Sequence, residues 1–525
     1  MAQQQPHRIA KRYFNTTGPC FPDHHYMVDP LKRLKGVEQL IEQGQYFVIH
    51  APRQSGKTTY AFALMEKLNR EGVYTVLISS IQPAAQGQNP IEAMKIAAMC
   101  IEQDSRLYLP EAEWSPTVSE VSFPENGLQR YLQQWSLNNP KPIVLLLDEV
   151  DSLQDDNFLA LLYQLRSGFV GRYKQGFPHA MGLIGLRDVR DYKIRLRPDS
   201  QSMGTGSPFN IKAESLFVDR LTEEEIVTLL QQHSEATGQP FEPQAIATLA
   251  ELTQGQAWLV NALAHHIVQR LLEGDVGQII TEAHVWQAKE ALILRRDTHL
   301  DSLIDKLKEP QVREVITAVI NGSAPNFDHY DDAILYCRNL GLIAPHPPVR
   351  FANPIYQEII PRVLSFGFQE SIPQDYADPH WYIQQGRLDM EALLKAFQEF
   401  YREHSEAWLE KYDFREVGRQ LLLMAFLQRV VNGGGRIERE MAVGNGRSDL
   451  IVEYGDERFV LELKLKRSEW DESKGLKQLA RYLDRLNEST GYLLLFEIDS
   501  AKSWEERIRW QRLTEAGRQL IVVGM

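Results

Sequence analysis

The segment YFVIHAPRQSGKTT, residues 46–59, limits the architecture more than any other stretch of the chain. A short apolar run, a loop, and then AFALMEKLNREG at helical period read as strand, loop and helix. Gly56-Lys57-Thr58 closes the loop and matches the end of G-x-x-x-x-G-K-[ST]. In that pattern backbone N–H groups wrap phosphates, the lysine meets the terminal phosphates, and the hydroxyl reaches Mg²⁺. Arg53, Gln54, Ser55, Gly56, Lys57, Thr58 and Thr59 are therefore candidate nucleotide contacts. Ala51 stands where the first glycine of the pattern is usual, and it is small enough to keep the turn.

A phosphate loop needs acids opposite it, and KPIVLLLDEVDSL supplies them: an apolar strand, Ile143 to Leu147, ends in Asp148-Glu149. Asp148 is suited to the Mg²⁺ shell, and Glu149 to orienting or deprotonating the attacking water, because phosphoryl transfer depends on positioning and charge neutralisation. A third apolar run, AMGLIGLRDVRDYK, puts Arg187 at a strand end, suited to sensing a terminal phosphate. Arg187, Arg190, Lys193, Arg195 and Arg197 form a basic cluster that reads equally as a source of an arginine finger for a neighbouring subunit and as a solvated face.

Taken in order, RQSGKTT, LLLDEVDSL, GLRDVRDYK, SPFNI and ELTQGQAWLVNALA resemble AAA/STAND-type P-loop ATPases of the archaeal-ATPase and AAA-like families, over roughly residues 10 to 290. The resemblance implies ATP with Mg²⁺ and a helical lid that closes over the nucleotide around Thr253 to Leu259. This chain has Gln256-Ala257 where a proline often follows Gly-x. In the same lid LTEEEIVTLLQQHSEATG predicts a helix capped by Thr222 with Glu225 three residues on. From Asp301 to Leu364 the chain reads helix, helix, a helix ending at Gly341, two short strands and another helix. That winged-helix pattern resembles the small domain that follows the lid in such ATPases, where it binds DNA or braces the lid, and no basic recognition helix is evident.

A second constellation follows. GRSDLIVEYGDERFVLELKLK predicts two strands joined by a tight turn near Tyr454 to Glu457. Asp449 opens the first strand, while Glu462 and Lys464 lie two apart on the second and so share a face. Two carboxylates supply hard oxygen ligands for Mg²⁺, with Mn²⁺ as the alternative, and a lysine beside them positions water and stabilises charge on phosphate. The pattern resembles the PD-(D/E)xK nuclease superfamily, with Gly446-Arg447-Ser448-Asp449 in place of Pro-Asp. Glu416 on an upstream helix stands where members carry a further metal-binding acid. Gln478 and Tyr482, four apart on a downstream helix, resemble the Q-x-x-x-Y element of RecB-like nucleases.

The length of 525 residues suits several domains. The expected fold is α/β: a P-loop NTPase with helical lid and winged helix, followed by a restriction-endonuclease-like PD-(D/E)xK domain. The expected divisions are 1–30 near the nucleotide, 31–215 the ATPase core, 216–297 the lid, 298–368 the winged helix, 369–385 a linker and 386–525 the nuclease-like domain. In the first segment Tyr26 is a candidate to stack on the base, and His24, His25 and Cys20 lack a second ligand pair for zinc. Three well-separated cysteines exclude a disulfide framework. No apolar run reaches the roughly 18 residues of a membrane span and MAQQQPHRIAKR lacks the apolar stretch of a signal peptide, so the expectation is a cytoplasmic protein without a membrane partner. The net charge of −13 is uneven: residues 411–525 carry +1 and the rest −14. That gradient permits nucleic acid at the C-terminal part.

The function expected is an ATP- and Mg²⁺-dependent nuclease or nucleic-acid-processing ATPase. Its expected partners are nucleic acid, DNA favoured, further copies of itself, and a protein partner encoded nearby. A place in prokaryotic phage defence or mobile-element biology is an analogy from architecture. Two alternatives stay open: a STAND-like signalling switch, and a DNA-binding loader or transposition-type ATPase, each with a non-cleaving nuclease-like fold.

Overall fold

The computed structural model describes residues 12–153, 155–186, 214–295, 305–320, 328, 331–371, 382–411, 422–424, 426–427, 435–441, 448–466, 472–497 and 503–525. The chain divides into two compact units: Met1–His299 with His329–Leu342, and Leu300–Asp328 with Ile343–Met525. Residues 298–368 therefore contribute to both. No helix among the described residues is long and apolar enough to cross a membrane.

The first unit is built on five parallel strands, β1 (Tyr46–His50), β2 (Thr75–Ser80), β3 (Ile143–Asp148), β4 (Ala180–Gly185) and β5 (Glu214–Phe217), in the order β2-β3-β4-β1-β5. Strands covered on both faces read as unbroken apolar runs, as YFVIH and IVLLLD do. Alternation then divides the side chains. Tyr46 and Val48 pack with α3 (Pro90–Tyr108), α4 (Gly127–Asn138) and α5 (Asp155–Gln175) around Tyr131, Trp135 and Phe158. Phe47 and Ile49 pack with α1 (Val37–Glu42) and α2 (Lys57–Glu71) around Ile41, Leu64 and Leu68. This is a P-loop NTPase-type α/β sandwich, with β4 between the loop-bearing and the acid-bearing strand.

Four further helices form a small bundle: α6 (Glu223–Thr237), α7 (Pro243–Thr253), α8 (Ala257–His266) and α9 (Glu282–Arg295). The expected cap of α6 is present as a reciprocal capping box, Thr222 accepting from Glu225 N–H and Glu225 accepting from Thr222 N–H. The N-terminal segment ties this bundle to the sheet. Phe14 and Tyr26 bury against His233 and Phe14 meets Phe241, Trp258 Nε1 donates to the Thr16 carbonyl at 3.0 Å, and Cys20 N–H donates to Thr59 Oγ1 at 3.0 Å.

In the second unit come α10 (Pro310–Ile320) and α11 (Pro354–Ser371), with the two expected short strands reduced to a single antiparallel bridge, Ile343 to Phe351. The hairpin β6 (Ile383–Gln384) and β7 (Arg387–Leu388) leads into α12 (Met390–Lys411). A six-stranded mixed sheet follows: β8 (Gly435–Met441), β9 (Ser448–Tyr454), β10 (Glu457–Lys466), β11 (Thr490–Glu497), β12 (Arg509–Glu515) and β13 (Arg518–Gly524), in the order β12-β13-β11-β10-β9-β8. The helix α13 (Glu472–Leu486) joins β10 to its parallel neighbour β11. It seals Leu479, Ala480 and Leu483 onto Val460, Leu493, Leu495, Leu520 and Val522. The opposite face carries Phe496 against Phe397 and Tyr401 of α12.

Candidate functional site

The loop after β1 turns through two left-handed residues, Gln54 at φ +57° and Gly56 at φ +92°. At Gly56 the hydrogen side chain is needed twice over, because a Cβ there would lie 3.1 Å from an Arg33 guanidinium nitrogen. Arg33 holds the loop from outside, Nη1 donating to the Ser55 carbonyl at 2.9 Å and Nη2 to the Asp219 carbonyl. Ser55 Oγ donates to the Pro52 carbonyl at 2.8 Å, closing the turn that Ala51, itself fully buried, begins.

The helix α2 starts at Lys57, so its free N–H groups face the loop cavity. Lys57 Nζ donates to the Ala51 and Pro52 carbonyls, both at 2.8 Å, and burial pushes its amine down from the usual lysine range against the pull of Asp148 and Asp151. Thr58 Oγ1 donates to Asp148 Oδ2 at 2.6 Å. Asp148 is 4% exposed, and burial pushes its carboxyl up despite the bonds from Thr58 and from Glu149 N–H. Glu149 sits at φ +58°, and its Oε2 accepts from Ser80 Oγ at 2.5 Å. Arg53, Gln54, Gly56, Lys57, Thr58, Thr59, Asp148 and Glu149 line one cleft of about 540 Å³ together with Gly18, Pro19 and Gly185. The N-terminal segment thus reaches the cleft through Gly18 and Pro19.

Tyr26 does not: it is 2% exposed, walled in by Phe14 and His233, so it cannot stack on a base. Arg187 and its basic neighbours Arg190, Lys193, Arg195 and Arg197 lie outside the described residues, as does Glu416. Arg33, Ser80 and Asp151, whose Oδ1 accepts from Leu186 N–H at 3.2 Å, were not singled out from sequence. Ser80 had a signal: it ends the strand that pairs with β3, opposite Asp148. Arg33 had none, since both its partners are backbone atoms remote in sequence.

In the second unit β10 runs between β9 and β11, so Glu462 and Lys464 are buried, 0% and 8% exposed, and form an ion pair on the face covered by α13. Asp449 stands directly across from Glu462 in the antiparallel register; its side chain lies outside the described residues. Gln478 Oε1 and Tyr482 Oη on α13 are out of solvent and have no hydrogen-bond partner. Polar atoms in that position have hydrogen-bonding capacity open to water or to a ligand.

A family model described as an AAA-like domain matches residues 23–346. Among solved structures, a Walker-type ATPase of Pyrococcus abyssi aligns at 13% identity over 65% of this chain and 98% of its own, with a TM-score of 0.45. The RuvB Holliday junction branch migration motor of Thermotoga maritima aligns at 14% identity over 61% of this chain and 90% of its own, TM-score 0.33. The ORC1 protein of Aeropyrum pernix in complex with DNA aligns at 12% identity over 89% of this chain and 96% of its own, TM-score 0.33. Comparison with curated proteins found no match.

Proposed function

The chain belongs to the AAA-like domain family, and from that premise we propose that it hydrolyses ATP in the 540 Å³ cleft and cuts nucleic acid at the Glu462–Lys464 centre. The donor set fits a nucleotide with Mg²⁺. Thr58 and Asp148 offer hard oxygens 2.6 Å apart, and the Lys57 amine is held only by backbone carbonyls, ready to exchange them for phosphate oxygens. Mg²⁺ would supply charge neutralisation on the phosphates. Glu149, released from Ser80, would orient the attacking water, and the lid helices α6 to α9 would close the cleft.

One observation carries the cutting half: an acid and a lysine stand side by side on an interior strand, on the sheet face covered by α13, the helix that carries Gln478 and Tyr482. Asp449 and Glu462 would hold Mg²⁺ or Mn²⁺, which would polarise the phosphodiester, and Lys464 would position the water. In this reading residues 298–368 act as a winged-helix brace, residues 386–525 as the nuclease module, DNA is the favoured substrate, and prokaryotic defence or mobile-element biology suits the pairing.

The test compares wild type with Glu149→Gln and Glu462→Gln on plasmid and single-stranded DNA, with Mg²⁺ or Mn²⁺, with and without ATP. Glu149→Gln should keep ATP binding and lose turnover by about 10²-fold or more, the scale of a positioned base. Glu462→Gln should lose cleavage and keep turnover. ATP turnover without cutting by wild type under every condition would replace the nuclease reading with a switch or loader.

A further inference from the structure

The helix α13 has a second face. Its apolar side, Leu479, Ala480 and Leu483, is sealed in the core. At 100° per residue Lys474, Lys477, Arg481 and Arg485 fall on the other side, within about 80° of one another. All four are exposed. Among the described residues none meets a carboxylate; Arg481 Nε donates to the Lys477 carbonyl at 3.3 Å, and the neighbouring Asp484 is engaged by Arg518 at 2.9 Å. Like charges at i,i+4, as in Lys477–Arg481 and Arg481–Arg485, repel and weaken a helix. The row therefore disfavours the helix that bears it unless an anion lies along it. Gln478 and Tyr482, with their unpartnered buried oxygens, occupy the flank between this row and the core. The cationic row thus lies on the solvent face of the helix whose inner face covers Glu462 and Lys464.

We propose that Lys474, Lys477, Arg481 and Arg485 form a phosphate track that holds a nucleic-acid backbone along the solvent face of α13, the helix whose inner face covers the Glu462–Lys464 centre. The proposal rests on the cleavage reading of that centre. The row spans ~16 Å, enough for about three or four successive phosphates of one strand, which stand roughly twice the 3.4 Å axial rise apart. An anionic membrane is the poorer occupant, because interfacial helices insert an apolar face and that of α13 is committed to the sheet.

The experiment uses the full chain with EDTA, so that nothing is cut, and reads binding of fluorescein-labelled single- and double-stranded oligonucleotides by anisotropy across a salt series. The variant Lys474→Ser/Lys477→Ser/Arg481→Ser/Arg485→Ser should weaken binding at least tenfold. It should also flatten the slope of log affinity against log salt by about three units, from ~0.7–0.9 for each phosphate no longer neutralised. The charge-preserving variant Lys474→Arg/Lys477→Arg/Arg481→Lys/Arg485→Lys should keep both, and ATP turnover, read separately with Mg²⁺, should not change in either. Equal affinity and slope in the serine variant overturns the track, and so does equal loss in both variants. Wild-type binding to polyglutamate or anionic vesicles but not to oligonucleotides also overturns it. Binding that only the serine variant loses, with no cutting by wild type when metal is restored, keeps the track and removes the nuclease. Cutting by wild type, with affinity unchanged in the serine variant, does the reverse.

Discussion

At the scale of single residues, the motif-bearing positions were legible because their chemistry is local. Lys57, Thr58, Asp148 and Glu149 meet in one cleft as their types and strand ends required. Tyr26 was not legible, since nothing in its neighbours reveals that Phe14 and His233 will enclose it. His233 itself is buried among Phe14, Tyr26 and Phe241, with Nε2 2.9 Å from Gln239 Oε1, and burial holds its imidazole below the ordinary histidine range. The unfolded chain binds a proton as pH falls through about 6.5 while the folded chain resists, so stability is full above that pH and is lost below it. Thermal melts from pH 7 to 5 should show His233→Leu losing less stability than wild type over that range, by at most about 1.4 kcal/mol per pH unit. Lys464→Met would remove the ammonium paired with the buried Glu462 carboxylate and should cost roughly 3–5 kcal/mol in chemical denaturation, with Glu462→Gln added to it recovering most of the loss.

At the scale of elements, apolar runs next to a motif and capped helices were readable, and strands away from any motif were not. The capping box of α6 formed as its Thr222/Glu225 spacing required. Strands β12 and β13 went unread, β12 because RWQRLTE is an edge strand whose polar residues leave little apolar signal. Gly255 shows how a lid turn is set: at φ +72°, a Cβ there would lie 2.1 Å from the Leu221 carbonyl oxygen, and Leu221 N–H donates back to the Gly255 carbonyl at 2.8 Å. Gly255→Ala should therefore lower the melting temperature well beyond the ~1–3 kcal/mol of left-handed strain alone, and raise the KM for ATP through the displaced lid. Thr222→Ala should cost only about 1 kcal/mol, and leave KM close to wild type.

At the scale of the molecule, each unit has its own sheet and its own candidate chemistry. If nucleotide governs cutting, Lys57→Ala at saturating ATP should cleave no faster than wild type without ATP; equal rates for wild type and variant with ATP would uncouple the two activities. Two candidate sites were visible in the two motifs, whereas the boundary between the units inside residues 298–368 was not, because short helices there carry no mark of which core they join. The strand order β12-β13-β11-β10-β9-β8 also bears on how the protein is made. Leu520 and Val522 of β13 belong to the cluster that seals Val460 beside the Glu462–Lys464 pair. A nascent chain that has reached residue 500 carries Asp449, Glu462, Lys464, Gln478 and Tyr482 but lacks Leu520 and Val522, so the sheet that buries the Glu462–Lys464 pair is complete only once β13 has been made.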